Sequence, residues 1–393
     1  MPGSVILSGA RTPIGKLSGA LAGFKATELG GFAIKAALER AGLSPDQVDY
    51  VFMGHALQAG TGQISARQAA VNAGIPLRVP ATTVNKVCLS GLNAIYLADQ
   101  MIAAGEADIV VAGGMESMTN APYLLPGARA GYRAGDQSVV DSMMYDGLFC
   151  AFDACAMGDG TEKYAQSAEI LRVPQDEFAA KSHQRAAAAA KNGLFDNEIV
   201  PVEVPQRKGD PLVVSEDEGV RAGTTADSLG ALRPAFDKAG NITAGNASQI
   251  SDGGSATIVA SKAAAERLGI EPLAEFVAFG QVAGPDSASL LNQPSQAILT
   301  ALDKVGKKVS DISLFELNEA FAAVGLASMK ELGITDEITN VNGGAIALGH
   351  PLGASGNRVA LTLINELKRR GGGLGAAALC GGGGQGDAIL LQV

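Results

Sequence analysis

The hydrophobic positions of this chain fall into alternating blocks of strand-like and helix-like spacing. Val5–Leu7 is a short apolar run that predicts a strand, followed by the polar turn Ala10-Arg11-Thr12-Pro13. After Thr27, a candidate cap, the apolar residues Leu29, Phe32, Ala33, Ala36, Ala37 and Leu38 recur at helical intervals until Gly42. Val48–Met53 predicts a strand, and Gly62–Ala73 a helix stopped by Gly74. In the next block Leu92, Ile95, Leu97, Ala98, Met101 and Ile102 leave almost no polar face, so the helix they predict is buried. The β-branched run Ile109–Ala112 then predicts a buried strand closed by Gly113-Gly114.

The second half of the chain repeats this plan. Ala33–Ala56 aligns without gaps on Ala297–Ala320, with 6 of 24 positions identical at an offset of 264. Ser90-Gly91 matches Ser355-Gly356 at an offset of 265, and Gly113-Gly114 matches Gly381-Gly382 at 268. Three matches in one order argue for a duplicated α/β unit of helix, strand, helix, strand. Between the copies the pattern changes. Asn120–Gly160 is rich in Gly, Met and Tyr, Pro174–Asn192 predicts an Ala-rich helix closed by Gly193, Val200–Val204 and Leu212–Val214 predict short strands, and Asn241–Asp252 is a polar loop. The expected organisation is a first half of residues 1–118 with 249–270, an inserted loop domain of 119–248, and a second half of 271–393.

Composition narrows the function. The 393 residues are 47% hydrophobic and 18% charged, enough for a large core. The net charge of −10 and the lack of a basic run give nucleic acid no footprint. The start of the chain lacks the apolar core of a signal peptide, no run is long enough to span a membrane, and Leu391-Gln392-Val393 is not a peroxisomal address. Cys88, Cys150, Cys155 and Cys380 form no disulfide framework, so a reducing, cytoplasmic setting is expected.

Candidate chemistry sits at the loops of the repeat. Cys88 lies just ahead of the buried helix, where unpaired N–H groups and the helix dipole favour thiolate; a buried structural cysteine is the rival reading. In the second copy, Leu317-Asn318-Glu319-Ala320-Phe321 follows a strand predicted at Ile312–Phe315. His350 lies in the Gly-rich loop Asn342–Gly356 before the helix Val359–Leu367, and Cys380–Gly386 follows the last buried strand. His350 occupies the loop that Cys88 occupies in the first copy. Asn318 and Cys380 lie at strand exits, where ligands of α/β proteins gather. His183 falls within the Ala-rich helix pattern and reads as structural or solvated, and His55, after a strand, is placed outside the site. Cys150 and Cys155 lack a second ligand pair, so no metal site is expected. The Gly runs match neither nucleotide-binding loop. A Cys, a His and a second Cys form a coherent set: His350 takes the proton of Cys88, an acyl group rests on Cys88, Cys380 exchanges protons, and backbone N–H groups hold an oxyanion.

Asn85-Lys86-Val87-Cys88-Leu89-Ser90-Gly91, Asn318-Glu319-Ala320-Phe321-Ala322, Gly343–Gly356 and Cys380–Gly386 resemble the motifs of the thiolases, most closely the acetyl-CoA acetyltransferase branch. The segments Ala10–Gly15 and Thr243–Ser248 match as well, so the resemblance covers essentially the whole chain. It implies two βαβ-type halves with mixed five-stranded sheets, a five-layered α/β/α/β/α body and an inserted loop domain. It implies a ping-pong condensation of two acetyl-CoA to acetoacetyl-CoA and CoA, and the reverse thiolysis, with no metal or redox cofactor. By this resemblance Cys88 carries the acetyl group, His350 activates it and Cys380 is the general acid/base. One oxyanion hole is formed by His350 with a water held by Asn318, the other by the backbone N–H groups of Cys88 and Gly382. Coenzyme A contacts fall on Leu148, Met157, Arg221, Ser228, Phe236, Ala244 and Ser248, with Phe321 beside them. Ala156 stands where this branch often has a histidine, which leaves the acyl group open. The resemblance further implies a homotetramer, a dimer of dimers joined through part of Asn120–Gly147. The alternatives are a degradative 3-ketoacyl-CoA thiolase for longer chains, with Met157 and the loop Ala283–Gln296 deciding, and a catalytically silent acyl-CoA- or lipid-binding relative. A decarboxylating ketoacyl synthase fits less well because Cys380 replaces the expected second His or Asn, and a redox or metal protein least of all.

Overall fold

In the computed structural model, which describes residues 3–393, the predicted strands of both copies form, each longer than or shifted from its apolar run. They are β1 (Ser4–Arg11), β2 (Tyr50–Gly54), β4 (Ile109–Ser117), β7 (Leu314–Leu317) and β8 (Leu374–Gly381), and four strands that the apolar runs did not predict join them: β3 (Ala81–Val84), β5 (Ser251–Ser261), β6 (Ala274–Ala283) and β9 (Gln385–Gln392). With the two-residue strand Gly15–Lys16 beside β5 they make a ten-stranded mixed sheet of order β7-β8-β9-β6-β1-β5-β4-β2-β3. The duplication is explicit in the pairing. In the first copy β1, β5 and β4 run antiparallel in turn, and β4, β2 and β3 run parallel. In the second, β6, β9 and β8 are antiparallel, β8 and β7 are parallel, and Phe315 bridges Thr339 in parallel. The two strand sets are stitched into one sheet at a short seam, Val5↔Glu275 and Ile6↔Ala274.

Helices complete five layers. On one outer face α1 (Ala26–Ala41) sets Ile34 and Leu38 against Val51, Val111 and Ile258. Between the two strand sets lie α2 (Ser90–Ala103) and α4 (Leu352–Arg369), whose Leu92, Ile95, Val359 and Leu363 share a core with Ile6, Phe52, Leu379 and Ile389. On the other outer face α3 (Gln293–Val305) sets Ile298 and Leu302 against Phe315 and Leu390. Strands covered on both faces are apolar throughout, which is why β4 reads as a continuous run rather than an alternation.

Three expectations change. Thr27 is buried in the first turn of α1; the terminus is held instead by Glu28, whose carboxylate accepts the Lys25 backbone N–H at 2.8 Å. Gly113-Gly114 do not close β4, which runs on to Ser117. A Cβ on Gly114 would lie 1.7 Å from the Gly353 carbonyl oxygen, so the glycine lets α4 begin in backbone contact with the strand. The register also corrects the repeat: Met53 faces Gly113 while Leu317 faces Ala378, so the offset at this strand is 265, and Met115, not Ala112, is the counterpart of Cys380.

In the intervening segment the helix predicted at Pro174–Asn192 spans Arg172–Lys191, and the short strands predicted at Val200–Val204 and Leu212–Val214 form at Val202–Val204 and Leu212–Val214 and pair as a hairpin. The helix Met157–Ser167 is unforeseen, because Gly158 and Gly160 dilute its periodicity; Gly158 lies where a Cβ would sit 2.0 Å from the Phe236 ring. Among the described residues no helix is long and apolar enough to cross a membrane.

Candidate active site

Cys88 and His350 each stand two residues before a helix of the central layer, α2 and α4. Local hydrogen bonds shape both loops. Asn85 Oδ1 accepts the Val87 N–H at 3.1 Å, while Ser90 Oγ accepts from Lys86 N at 2.8 Å and donates to the Val87 carbonyl at 2.6 Å. Val87 takes φ +49° in this turn. The His350 backbone N–H donates to Gln249 O at 3.2 Å and Ser251 Oγ at 3.1 Å, which ties it to the segment leading into β5. Its ring Nδ1 lies 2.6 Å from Ser355 Oγ, and that hydroxyl donates to the Pro351 carbonyl at 2.9 Å. The single hydroxyl proton is therefore spent on Pro351, so Ser355 accepts from Nδ1–H and Nε2 keeps its lone pair. Asn318 Nδ2 donates toward that lone pair at 3.4 Å. Asn318 Oδ1 is buried without a partner among the described residues, an arrangement that calls for a donor such as water.

Cys88 and His350 share a cavity of about 270 Å³. Leu148, Met157, Phe236, Ala244, Ser248 and Phe321 line it, as do Ala156 and the bulky Met118, Met144 and Leu352. The loop Thr243–Ser248 reaches the site because Ala247 bridges Phe321 and Ser248 N donates to Ala320 O at 3.0 Å. Arg221 and Ser228 do not line this cavity. Both are exposed; the Arg221 backbone N–H donates to His183 Nδ1 at 3.2 Å, and the Ser228 hydroxyl accepts the Thr225 N–H at 3.0 Å in a helix cap. His183 is thus a buried structural residue, drawn down to about 4 by burial and the nearby Arg221. A second space of about 730 Å³ adjoins at Met157 and is lined by Asn85, Val87, Phe149, Phe152 and Gly382. No residue of Ala283–Gln296 lines the cavity of Cys88; Leu290 and Leu291 pack with Cys380, Ala320 and Phe321 instead. His55 lies outside it as well.

Burial sets the electrostatics. The Cys88 thiol is pushed well above its ordinary value, first by burial and then by the neighbouring Cys380 and by Glu116; the backbone N–H groups of Cys88 and Gly382 pull the other way. This corrects the expectation of a thiolate at rest: desolvation outweighs the helix start. Burial likewise pushes the Cys380 thiol up to about 12. Burial and then the positive Arg358 draw His350 down to about 3, so its imidazole is neutral near pH 7. The resting arrangement is two thiols and a neutral imidazole, each in the form that can move a proton once a carbonyl arrives.

Three buried supports escaped the motif reading. Ser355 sets the His350 tautomer. Glu319 accepts from Ser182 Oγ at 2.6 Å, Asn340 Nδ2 at 2.9 Å and the Ile346 N–H at 3.1 Å, which fixes the Asn318 loop. Glu116 accepts backbone N–H groups from Ala56, Leu57 and Gly353. A polar residue inside an apolar run, as in Gly113-Gly114-Met115-Glu116, was the available signal.

A duplicated α/β body with a cysteine and a histidine at paired helix starts defines the class. The family described as "Thiolase, N-terminal domain" matches residues 4–263, and "Thiolase, C-terminal domain" matches residues 270–393. The chain belongs to the thiolase family of acyltransferases. It is similar to a "Probable acetyl-CoA acetyltransferase" of Mycobacterium tuberculosis (57% identity over 392 residues, 100% of both chains) and to one of Mycolicibacterium smegmatis (57% over 388 residues, 99% of this chain and 100% of the relative). It is also similar to an "Acetyl-CoA acetyltransferase" of Cupriavidus necator (51% over 388 residues, 99% of this chain and 98% of the relative).

Proposed function

We propose that this chain is an acetyl-CoA C-acetyltransferase that interconverts two acetyl-CoA with acetoacetyl-CoA and CoA through an acetyl group on Cys88. The observation that carries this is the convergence of Cys88 and His350 on one cavity, with Gly382 lining the adjoining space.

In the thiolytic direction, Cys88 gives its proton to His350 Nε2 as the sulfur attacks the ketone carbon of acetoacetyl-CoA. The Cys88 and Gly382 N–H groups hold the oxyanion. The carbon–carbon bond breaks, and the acetyl-CoA carbanion, its enolate oxygen facing His350 and a water on Asn318, takes the Cys380 proton. CoA thiol then returns a proton to Cys380 and attacks acetyl-Cys88, and the departing sulfur recovers the proton from His350. Condensation is the reverse. A thiol near 12 is protonated at neutral pH, so Cys380 is in its resting state for thiolysis. No step calls for a metal or redox cofactor.

The cavity volume and the bulk of Met118, Met144, Leu148 and Phe236 support a short acyl group. The lining of the cavity by Leu148, Met157, Ala244 and Ser248 supports a hold on the pantetheine arm, and the exposure of Arg221 and Ser228 supports at most a contact with the nucleotide end of CoA outside it. A dimer of dimers is supported by the exposed Tyr123, Val139 and Tyr145, and light-scattering mass in solution tests it. Quenching the protein after incubation with labelled acetyl-CoA and mapping the label tests the reaction: acetyl on Cys88 is expected, and folded protein without it would sink the proposal. Comparing thiolysis of acetoacetyl-CoA with a long-chain 3-ketoacyl-CoA tests the acyl group, and a strong long-chain preference would assign the degradative reaction.

A further inference from the structure

Glu116 is fully buried at the end of β4, outside the set of groups that exchange protons above. Its carboxylate is saturated. Oε2 accepts the Ala56 N–H at 3.0 Å and the Gly353 N–H at 2.9 Å, Oε1 accepts the Leu57 N–H at 3.1 Å, and His55 Nε2 lies 3.3 Å from Oε1. His55 is itself buried, its Nδ1 on Ser65 Oγ at 2.9 Å.

What these partners connect matters more than their number. The Ala56 carbonyl accepts from Asn85 Nδ2 at 3.2 Å, and Asn85 Oδ1 accepts the Val87 N–H at 3.1 Å, one residue from Cys88. Gly353 lies in the first turn of α4, three residues after His350. One carboxylate therefore has an arm to each of two loops that belong to different copies of the repeat. There is no slack at the junction: a Cβ on Gly353 would lie 2.5 Å from the Met115 carbonyl oxygen and 2.7 Å from that of Gly54.

We propose that Glu116 is a positioning residue for acyl transfer: it sets the spacing between the Cys88 loop and the His350 loop through Ala56–Asn85 on one side and Gly353 on the other, with the His55 ring packed beside its carboxylate. This rests on the acyl-transfer reading of Cys88 and His350. Its chemistry suits the task, because a carboxylate accepts from all three backbone donors, whereas an amide presents its NH₂ to at least one of them whichever way it turns. Misplacement of reacting groups by about 1 Å can cost about 10²-fold in rate. The Glu116 charge also raises the Cys88 thiol, which supplies an independent readout.

The test uses the full chain and the variants Glu116→Gln and Asn85→Ala. Three quantities are measured: single-turnover acetyl transfer from labelled acetyl-CoA to Cys88, the pH midpoint of Cys88 alkylation by iodoacetamide mapped by peptide mass, and thermal midpoint. For Glu116→Gln the expected result is a fall of about 10- to 100-fold in acetylation rate per folded molecule, with the alkylation midpoint moved to lower pH. Asn85→Ala, at an exposed position, cuts only the arm toward Cys88; a several-fold slower acetylation with an unchanged alkylation midpoint is expected. Folded Glu116→Gln that acetylates within twofold of the parent, or keeps its alkylation midpoint, overturns the proposal. Should Glu116→Gln not fold, Asn85→Ala acetylating at the parental rate overturns it. A parent protein that takes no label at Cys88 refutes the acyl-transfer reading instead, and the alkylation profiles still report whether Glu116 acts on the Cys88 loop.

Discussion

The two copies of the repeat share one topology and divide the chemistry unequally. Cys88 and His350 occupy the same slot, two residues before a central helix. The neighbouring positions differ. Where the second copy has Asn318 at the exit of β7, the first has Gly54, whose missing side chain admits the Gly353 carbonyl and Ser90. Where the second copy has Cys380, the first has Met115, buried against Gly30 of α1. Under the proposed mechanism the first copy contributes the nucleophile and fills its remaining slots by packing, with backbone and Ser90 at Gly54 and with the side chain at Met115. Under the same mechanism the second copy keeps those slots polar and supplies the groups that exchange protons. Duplication supplies symmetric helix starts; asymmetry at three or four positions turns them into one site rather than two.

The sharpest way to break this comparison is Cys88→Ser. If the first copy's contribution is the nucleophile, thiolysis of acetoacetyl-CoA falls on the order of 10³-fold or more while the circular dichroism spectrum is retained. Cys380→Ser probes the other copy. It should still take acetyl onto Cys88 but lose about 10²- to 10⁴-fold in condensation; equal loss in both half-reactions would remove Cys380 from the acid/base role.

Packing provides the third comparison. Gly114→Ala places a methyl 1.7 Å from the Gly353 carbonyl, and a loss of about 3 kcal/mol or failure to fold is expected from urea titration. The position that β8 offers to the same layer is Leu379, whose side chain joins the central core.

The smallest effect is a pH dependence. His350 is held near 3 in the folded chain against an ordinary 6.5, so below 6.5 the unfolded chain binds a proton that the folded chain refuses. Stability from this residue is complete above 6.5 and is lost as pH falls toward 3. Between pH 7 and pH 5 the loss is about 2 kcal/mol. His350→Asn should remove that slope in denaturation curves, and an unchanged slope would place the imidazole in a less buried setting.

Much of this was legible in order along the chain. The apolar blocks located β1, β2, β4, β7 and β8 because strands buried on both faces leave unbroken apolar runs, while β3, β5, β6 and β9 went unread and α2 keeps a partly open face at Tyr96, Leu97 and Gln100. The cavity-lining residues Leu148, Met157, Phe236, Ala244, Ser248 and Phe321 came from resemblance, since nothing in their spacing joins positions from 148 to 321. The helix Met157–Ser167 was invisible because its two glycines serve contacts with Phe236 and Ala288, not helix propensity. Thr27 fits a capping rule, yet the chain caps at Lys25 because burial of the first turn decides the boundary.

By itself the sequence determined the duplicated plan, the identity of the loops that carry Cys88, Asn318, His350 and Cys380, and the local turns that shape them, because these depend on residues near one another in the chain. Only the tertiary structure decided the register that pairs Cys380 with Met115, the protonation states and the hub at Glu116. Burial fixes the charge of Cys88, His350 and Cys380, and burial is a property of what the other copy brings. Glu116 joins residues 56, 57 and 353, and no local pattern reports an acceptor whose donors arrive from both halves of the chain.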